Sequence, residues 1–305
     1  MKILVTGSTG LVGSTLVSEL KRAGHTVCRL VRPSTNADAL RGSEGFDVRW
    51  DPATGELGVA AVGADAVVNL AGASIADGRW TPERKKLLRT SRVDTTRALV
   101  NALAKMAARP RVLVSASAIG FYGSRGDEIV NEESQPGSEF LSEVAKEWES
   151  EAEKAEALGI RVVCARFGVI LAKEGGALPK MARPIQFGVG GKIGSGQQWI
   201  SWITREEVVA ILRFALENGA VRGPINVVSP QPVRNAEFTA VLAKTLHRPA
   251  LFPAPAFALR LLLGEMADAL LLSSQRVNPE KLQKLGYRFL HPELPSALAA
   301  VLSTG

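Results

Sequence analysis

Apolar and polar positions along the 305-residue chain follow two alternating periods. Short apolar runs of strand length lie at 2–6, 26–31, 47–51, 66–70, 111–115 and 161–166. Between them, helical spacing recurs at about 11–23, 81–107 and 140–158. In the first of these helices Leu16, Val17 and Leu20 share one face, and Glu19, Lys21 and Arg22 lie opposite. Strands that alternate with helices predict an α/β fold with a parallel sheet covered on both faces. Such sheets bind ligands at the carboxyl ends of their strands, so the loops there are where chemistry is to be sought.

From Gly175 the pattern changes. A glycine-rich, aromatic stretch at 187–202 leads into a helix opened by Thr204 and Glu207, a capping-box pair. A strand at 224–228, a helix at 235–246, a proline-punctuated linker at 249–255 and a helical region at 256–302 complete the chain. The expected division is a domain at 1–174, with 204–229 returning to it, and a smaller lobe from 175–203 and 230–305. There is no internal repeat and no low-complexity tract.

Thr6-Gly7-Ser8-Thr9-Gly10-Leu11-Val12-Gly13 joins the first strand to the first helix without a gap. In that context the glycines have distinct tasks: Gly7 the tight turn, Gly10 the approach of a pyrophosphate, Gly13 the close packing of helix on strand. The free N–H groups of the helix start favour the phosphate charge. Gly7, Thr9, Gly10, Leu11, Val12 and Gly13 are therefore candidate dinucleotide-binding residues. The second strand ends Arg29-Leu30-Val31-Arg32-Pro33, with no carboxylate before Asp38. An acid there would repel a 2′-phosphate, whereas Arg32 can pair with one, which predicts NADP as the cofactor.

The TGxxGxxG spacing and the Asn69-Leu70-Ala71-Gly72 stretch resemble the short-chain dehydrogenase/reductase superfamily. "WxxxxKxxLRTSRVDTT", "SASAIGFYG", "GGKIGSGQQWISWI", "INVVSPQPVRNAEF" and "SSQRVNPEKLQKLGYRF" resemble, almost end to end, one atypical subfamily. That subfamily is called "epimerase family protein", or nucleoside-diphosphate-sugar epimerase-like, and has a C-terminal extension of uncharacterised role. The resemblance implies a Rossmann-type doubly wound parallel sheet with a smaller C-terminal substrate lobe. It also implies Asp51 near the adenine, and Leu70, Ala71 and Gly72 along the cofactor's path. Arg92 lies where extended members often carry an asparagine; it faces either the cofactor or a neighbouring acid. Ser115, Val169 and Ile170 complete the implied cofactor set.

Members of the superfamily use a tyrosine as acid or base, with a lysine four residues later that lowers its pKa. This chain has two tyrosines, Tyr122 and Tyr287, followed at that spacing by Gly126 and His291. Within 140–149, leucine or phenylalanine holds the tyrosine's place. Ser117 best matches the serine that bonds a substrate oxygen. Tyr122, on the same stretch, is either a replacement proton donor or a ring packed beneath the lobe. Two readings stay open: an NADP(H)-dependent oxidoreductase or sugar-nucleotide epimerase-like enzyme, and a non-catalytic NADP-binding regulatory or sensor protein.

Charged residues make up 22% and the net charge is +7. The densest basic run, Arg84-Lys85-Lys86 with Arg89 and Arg92, reads as a solvated helix face, so a small-molecule substrate is expected and nucleic acid is not. That substrate is a nucleotide sugar or another carbonyl compound. Arg234 and Arg276 are possible clamps for its carboxylate or phosphate. No apolar run reaches ~18 residues, Cys28 and Cys164 lie in apolar runs, and MKIL leads straight into a strand; a cytoplasmic protein without membrane contact is expected. Histidines 25, 247 and 291 have no metal-ligand spacing. A homodimer through helices 90–107 and 140–158, with Val93, Leu99, Val100 and Leu103 as its apolar face, is expected by analogy.

Overall fold

The first strand, β1 (Lys2–Thr6), lies between β2 (Thr26–Val31) and β5 (Ala66–Asn69) in an eight-stranded sheet. Beyond β2 follow β3 (Phe46–Asp51) and its hairpin partner β4 (Glu56–Leu57); beyond β5 follow β6 (Val112–Ala118), β8 (Arg161–Phe167) and β12 (Gly223–Val227). Every neighbouring pair is parallel except β3 and β4. The computed structural model describes residues 1–31, 46–58 and 61–303. Alternate side chains of β1 serve opposite cores. Ile3 and Val5 pack with Leu16 of α1 (Leu11–Arg22) and Val208 of α6 (Arg205–Glu217). Leu4 packs with Leu99 of α3 (Val93–Ala104) and Ala152 of α4 (Phe140–Glu153).

The helix expected over 81–107 is two helices. α2 (Pro82–Thr90) starts on Thr81, whose hydroxyl accepts from Arg84 N at 3.2 Å, and it ends before Ser91. Ser91 Oγ accepts from Ala73 N at 3.1 Å, and the break places Arg92 beside the loop after β5. Strand β6 runs three residues further than the sequence suggests because it pairs with β8 as far as Ala118↔Phe167. The second half of the helix at 140–158 tightens into a 3₁₀ turn over Lys154–Leu158.

A second core gathers α5 (Ala177–Gln186), α7 (Asn235–Thr245) and α11 (Leu294–Ser303) around Trp202 and Phe238. Three two-stranded ladders fasten it: β9 (Val169–Leu171) with β11 (Trp202–Thr204), β10 (Trp199–Ile200) with β13 (Val233–Arg234), and β7 (Ile129–Val130) with β14 (Arg276–Val277). The region read as helical over 256–302 is broken into α8 (Ala256–Leu263), α9 (Glu265–Ala267), α10 (Glu280–Lys284) and α11, with β14 among them. Left-handed Gly264 and Gly286 sit at two of the interruptions. No described helix is long and apolar enough to cross a membrane.

Val93, Leu99, Val100 and Leu103 are all buried within the chain, the last three against the sheet, so they offer no apolar face to a second copy. Outward charges beside them are paired within the chain, Arg97 with Asp94 and Glu151, and Arg89 of α2 with Glu147.

Half of the capping box is present. Thr204 Oγ1 accepts from Glu207 N at 3.2 Å, but the Glu207 carboxylate does not return to Thr204. Instead it accepts from Tyr287 Oη at 2.6 Å, Leu290 N at 2.7 Å and His291 N at 2.9 Å, tying the C-terminal segment to α6. Glu207→Gln should lower unfolding free energy by about 2 kcal/mol, because charge-assisted bonds at a buried site become neutral ones. Urea denaturation reads the change, and an unaltered midpoint would mean that the tether contributes nothing.

Candidate active site

The turn between β1 and α1 is closed to side chains at its first and last glycines. Gly7 adopts φ +63°, and a Cβ there would stand 2.5 Å from the Leu70 carbonyl oxygen. A Cβ on Gly13 would come within 2.1 Å of the Gly7 oxygen, and one on Gly10 within 3.2 Å. Thr9 and Gly10 are exposed, and no side chain caps the α1 start. Bare backbone, free N–H groups and the positive end of the helix dipole therefore face outward together, which fits a pyrophosphate.

Thr6 locks this turn to the loop after β5. Its hydroxyl accepts from Leu70 N at 3.0 Å and Ala71 N at 3.2 Å, and donates to Asn69 Oδ1 at 2.7 Å. Asn69 in turn donates to Thr96 and Ser115, and Trp148 Nε1 donates to Thr96. Val12 points into the core, so only its backbone is available. The Leu11 side chain lies against Gly175 and Gly176, beside the Ile170 carbonyl, while Val169 N donates to Ser201 O at 2.8 Å. Gly7, Gly10, Gly13, Leu11, Leu70, Ala71, Gly72, Arg92 and Ile170 thus converge along the carboxyl edge of the sheet. Asp51 closes its own turn by accepting from Ala53 N at 2.9 Å. Arg32 lies outside the described residues.

Ser117 and Tyr122 belong to a buried polar network. Ser117 lies within β6 rather than on a loop, is 1% exposed and donates to the Glu149 carboxylate. Arg166 grips that carboxylate with two donors, Nε at 2.8 Å and Nη2 at 2.7 Å. Its Nη1 donates to the Tyr122 hydroxyl at 2.9 Å, and its guanidinium lies 3.5 Å over the Phe121 ring. Tyr122, 0% exposed, donates to Asn226 Oδ1 at 2.6 Å, and burial pushes its pKa up to about 12. The hydroxyl thus has both a donor and an acceptor partner inside the protein, the position of a structural group. The other tyrosine, Tyr287, is bound to Glu207.

In the first turn of α4, Phe140 stands edge-on to Trp80 at 5.5 Å and Leu141 packs against Gly120. Arg92 lies 5.4 Å over the Trp148 ring and against Gly72, with bonds to the Ala73 and Leu88 carbonyls. Arg234 and Arg276 both stack on Trp199, at 4.2 and 4.4 Å, and Arg234 is also paired with Asp127. Sequence reasoning missed Glu149, Arg166, Asn226 and Thr6. A charged residue inside the apolar run of β8 was the one available signal, since strands covered on both faces are nearly all apolar.

Glu149→Gln should destabilise the protein by about 3–5 kcal/mol, since it strands a buried guanidinium. Tyr122→Phe should lower stability by about 1–3 kcal/mol, because Asn226 loses its donor. Thermal unfolding compares the two; a Tyr122→Phe protein less stable than Glu149→Gln would reverse this ranking.

The chain matches the NAD dependent epimerase/dehydratase family over residues 3–228, and a domain of unknown function (DUF1731) over 254–301. It is 40% identical over 306 residues to the epimerase family protein YfhF of Bacillus subtilis, covering 99% of this chain and 98% of that one. It is 39% identical over 304 residues to a chloroplastic epimerase family protein SDR39U1 homolog of Arabidopsis thaliana, covering 99% and 87%. The crystal structure of human epimerase family protein SDR39U1 with NADPH superposes with a TM-score of 0.88 at 32% identity, covering 100% of both chains. UDP-glucose 4-epimerase from Thermotoga maritima shares the fold, with a TM-score of 0.79 at 16% identity over 99% of this chain and 97% of that one. By its sequence and its fold this chain belongs to the NAD dependent epimerase/dehydratase family.

Proposed function

We propose that this protein binds NADP(H) along the carboxyl edge of its sheet and acts as an oxidoreductase or epimerase-like enzyme on a small hydroxyl or carbonyl substrate. The observation that carries the reading is the turn where a Cβ on Gly7 would strike Leu70 and one on Gly13 would strike the Gly7 backbone. Gly7, Thr9, Gly10, Leu11 and Gly13 would hold the pyrophosphate, and Leu70, Ala71 and Gly72 would line the path beyond it. The 32% identical human protein crystallised with NADPH supports this, as does the arginine, Arg32, that follows the β2 segment in the sequence. Bound nicotinamide supplies hydride exchange. Ser117 can hold a substrate oxygen only by turning from Glu149. Tyr122 keeps Arg166 and Asn226 in place and handles no proton.

A second reading, an NADP-binding sensor without turnover, is favoured by one observation: Ser117 and Tyr122 are both buried and bonded within the protein. Both readings require the cofactor. Calorimetric titration should give NADPH roughly tenfold or more tighter binding than NADH, and Arg32→Ala should remove the difference, since it deletes charge-assisted bonds to a phosphate. Equal affinities in the wild type would sink the NADP assignment. A screen of carbonyl substrates that reads NADPH oxidation separates enzyme from sensor, with any turnover reduced in Ser117→Ala.

A further inference from the structure

The loop after β5 is held by cations that outnumber the acids beside them. Four successive carbonyls accept hydrogen bonds: Ala73 from Arg92 at 2.9 Å, Ser74 from Arg84, Ile75 from Trp80 Nε1 at 2.9 Å, and Ala76 from Lys180 at 2.8 Å. Lys180 also has Asp77 at 3.7 Å. Arg84 and Arg92 have no carboxylate partner among the described residues, whereas Arg89 and Arg97, further along the same two helices, are paired with Glu147 and Glu151. Arg84 Nε is buried with no hydrogen-bond partner at all. A buried donor without an acceptor is rare and destabilising, and an acceptor brought by a water, an ion or a ligand relieves it.

We propose that Arg84 and Arg92 form an anion site that takes a carboxylate or phosphate of the substrate. The proposal rests on the cofactor reading above and names the substrate class for that same edge of the sheet. Two guanidiniums side by side repel one another, and this is favourable only when an oxyanion lies between them. Burial, and next the neighbouring Arg84, pull Arg92 down to about 10, in keeping with a cation that lacks its counter-charge. Placement separates this anion from those of the cofactor. The pyrophosphate turn follows β1, and β2 lies on the side of β1 away from β5. Arg92 lies at the opposite side, against Gly72 and over the Trp148 ring, and Arg84 bonds the Ser74 carbonyl of the same loop.

The test uses the full chain saturated with NADPH, and sodium phosphate and sodium acetate as probes at constant ionic strength. At least one probe should raise the thermal midpoint saturably. Arg84→Gln and Arg92→Gln should each weaken that response at least tenfold, and Arg84→Lys and Arg92→Lys should weaken it less. Lys86→Gln, which removes an exposed charge from the same helix, should leave it intact. No saturable response to either probe overturns the site, and so does equal weakening by Lys86→Gln. A response that NADPH abolishes overturns the substrate assignment, because the cations then serve the cofactor's own phosphate. Failure of NADPH to bind is read separately by calorimetry; it removes the cofactor reading, while the probes on the free protein still report on the arginine pair.

Discussion

One buried cation sets the terms for the middle of this molecule. Arg166 extends from a strand covered on both faces, where an unpaired charge would be strongly unfavourable. Its fork is satisfied by Glu149 from α4, by the Tyr122 hydroxyl from the 3₁₀ turn after β6, and by the Glu132 carbonyl from the loop after β7. Those partners must arrive together. Tyr122 then fixes Asn226 on β12, whose amide group donates to Asn278 O, and Glu132 accepts from the backbone of Asn226 and Lys281. Burial raises the Glu132 carboxyl above its ordinary range, and the backbone N–H groups oppose that shift. The sheet, the serine stretch and the C-terminal segment are thereby registered to a single guanidinium.

The same network fixes the chemistry open to Tyr122. A phenol serves as an acid or base near neutral pH only when a cation in contact stabilises its anion and water or substrate can reach it. Tyr122 has the cation, Arg166, but burial outweighs it and raises the pKa. On α4, Glu149 binds Arg166 and Trp148 lies beneath Arg92, while the first turn presents Phe140 and Leu141.

Much of the architecture was legible because it depends on local rules. Period-two and helical spacing place β1, β2, β5 and α1 almost to the residue, and the glycine spacing identifies the turn between them. What escaped depends on contacts between distant segments. Nothing near Ser91 announces a helix break, since its cause is a bond from Ala73. Strand β6 continues through Ser117 because β8 pairs with it, and no local signal gives that partner's length. The apolar stripe of α3 is real, but periodicity cannot say whether it meets the sheet or another chain. Arg166 is a charge in an apolar run, but nothing local identifies its partners, which lie 17 to 44 residues away along the chain.

The tether at Glu207 bears on modularity. Residues 3–228 match one family and 254–301 another, which invites the view of two separable cassettes joined by a linker. The bonds do not follow that boundary. Glu207, Asn226 and Glu132 lie in the first segment, and their partners Tyr287, Leu290, His291, Asn278 and Lys281 lie in the second. A chain cut between the two would leave a buried carboxylate, a buried amide and an edge strand without their acceptors and donors. The extension is therefore inherited as part of the sheet domain's own interior, and recombination at the linker would exchange two halves of one folding unit.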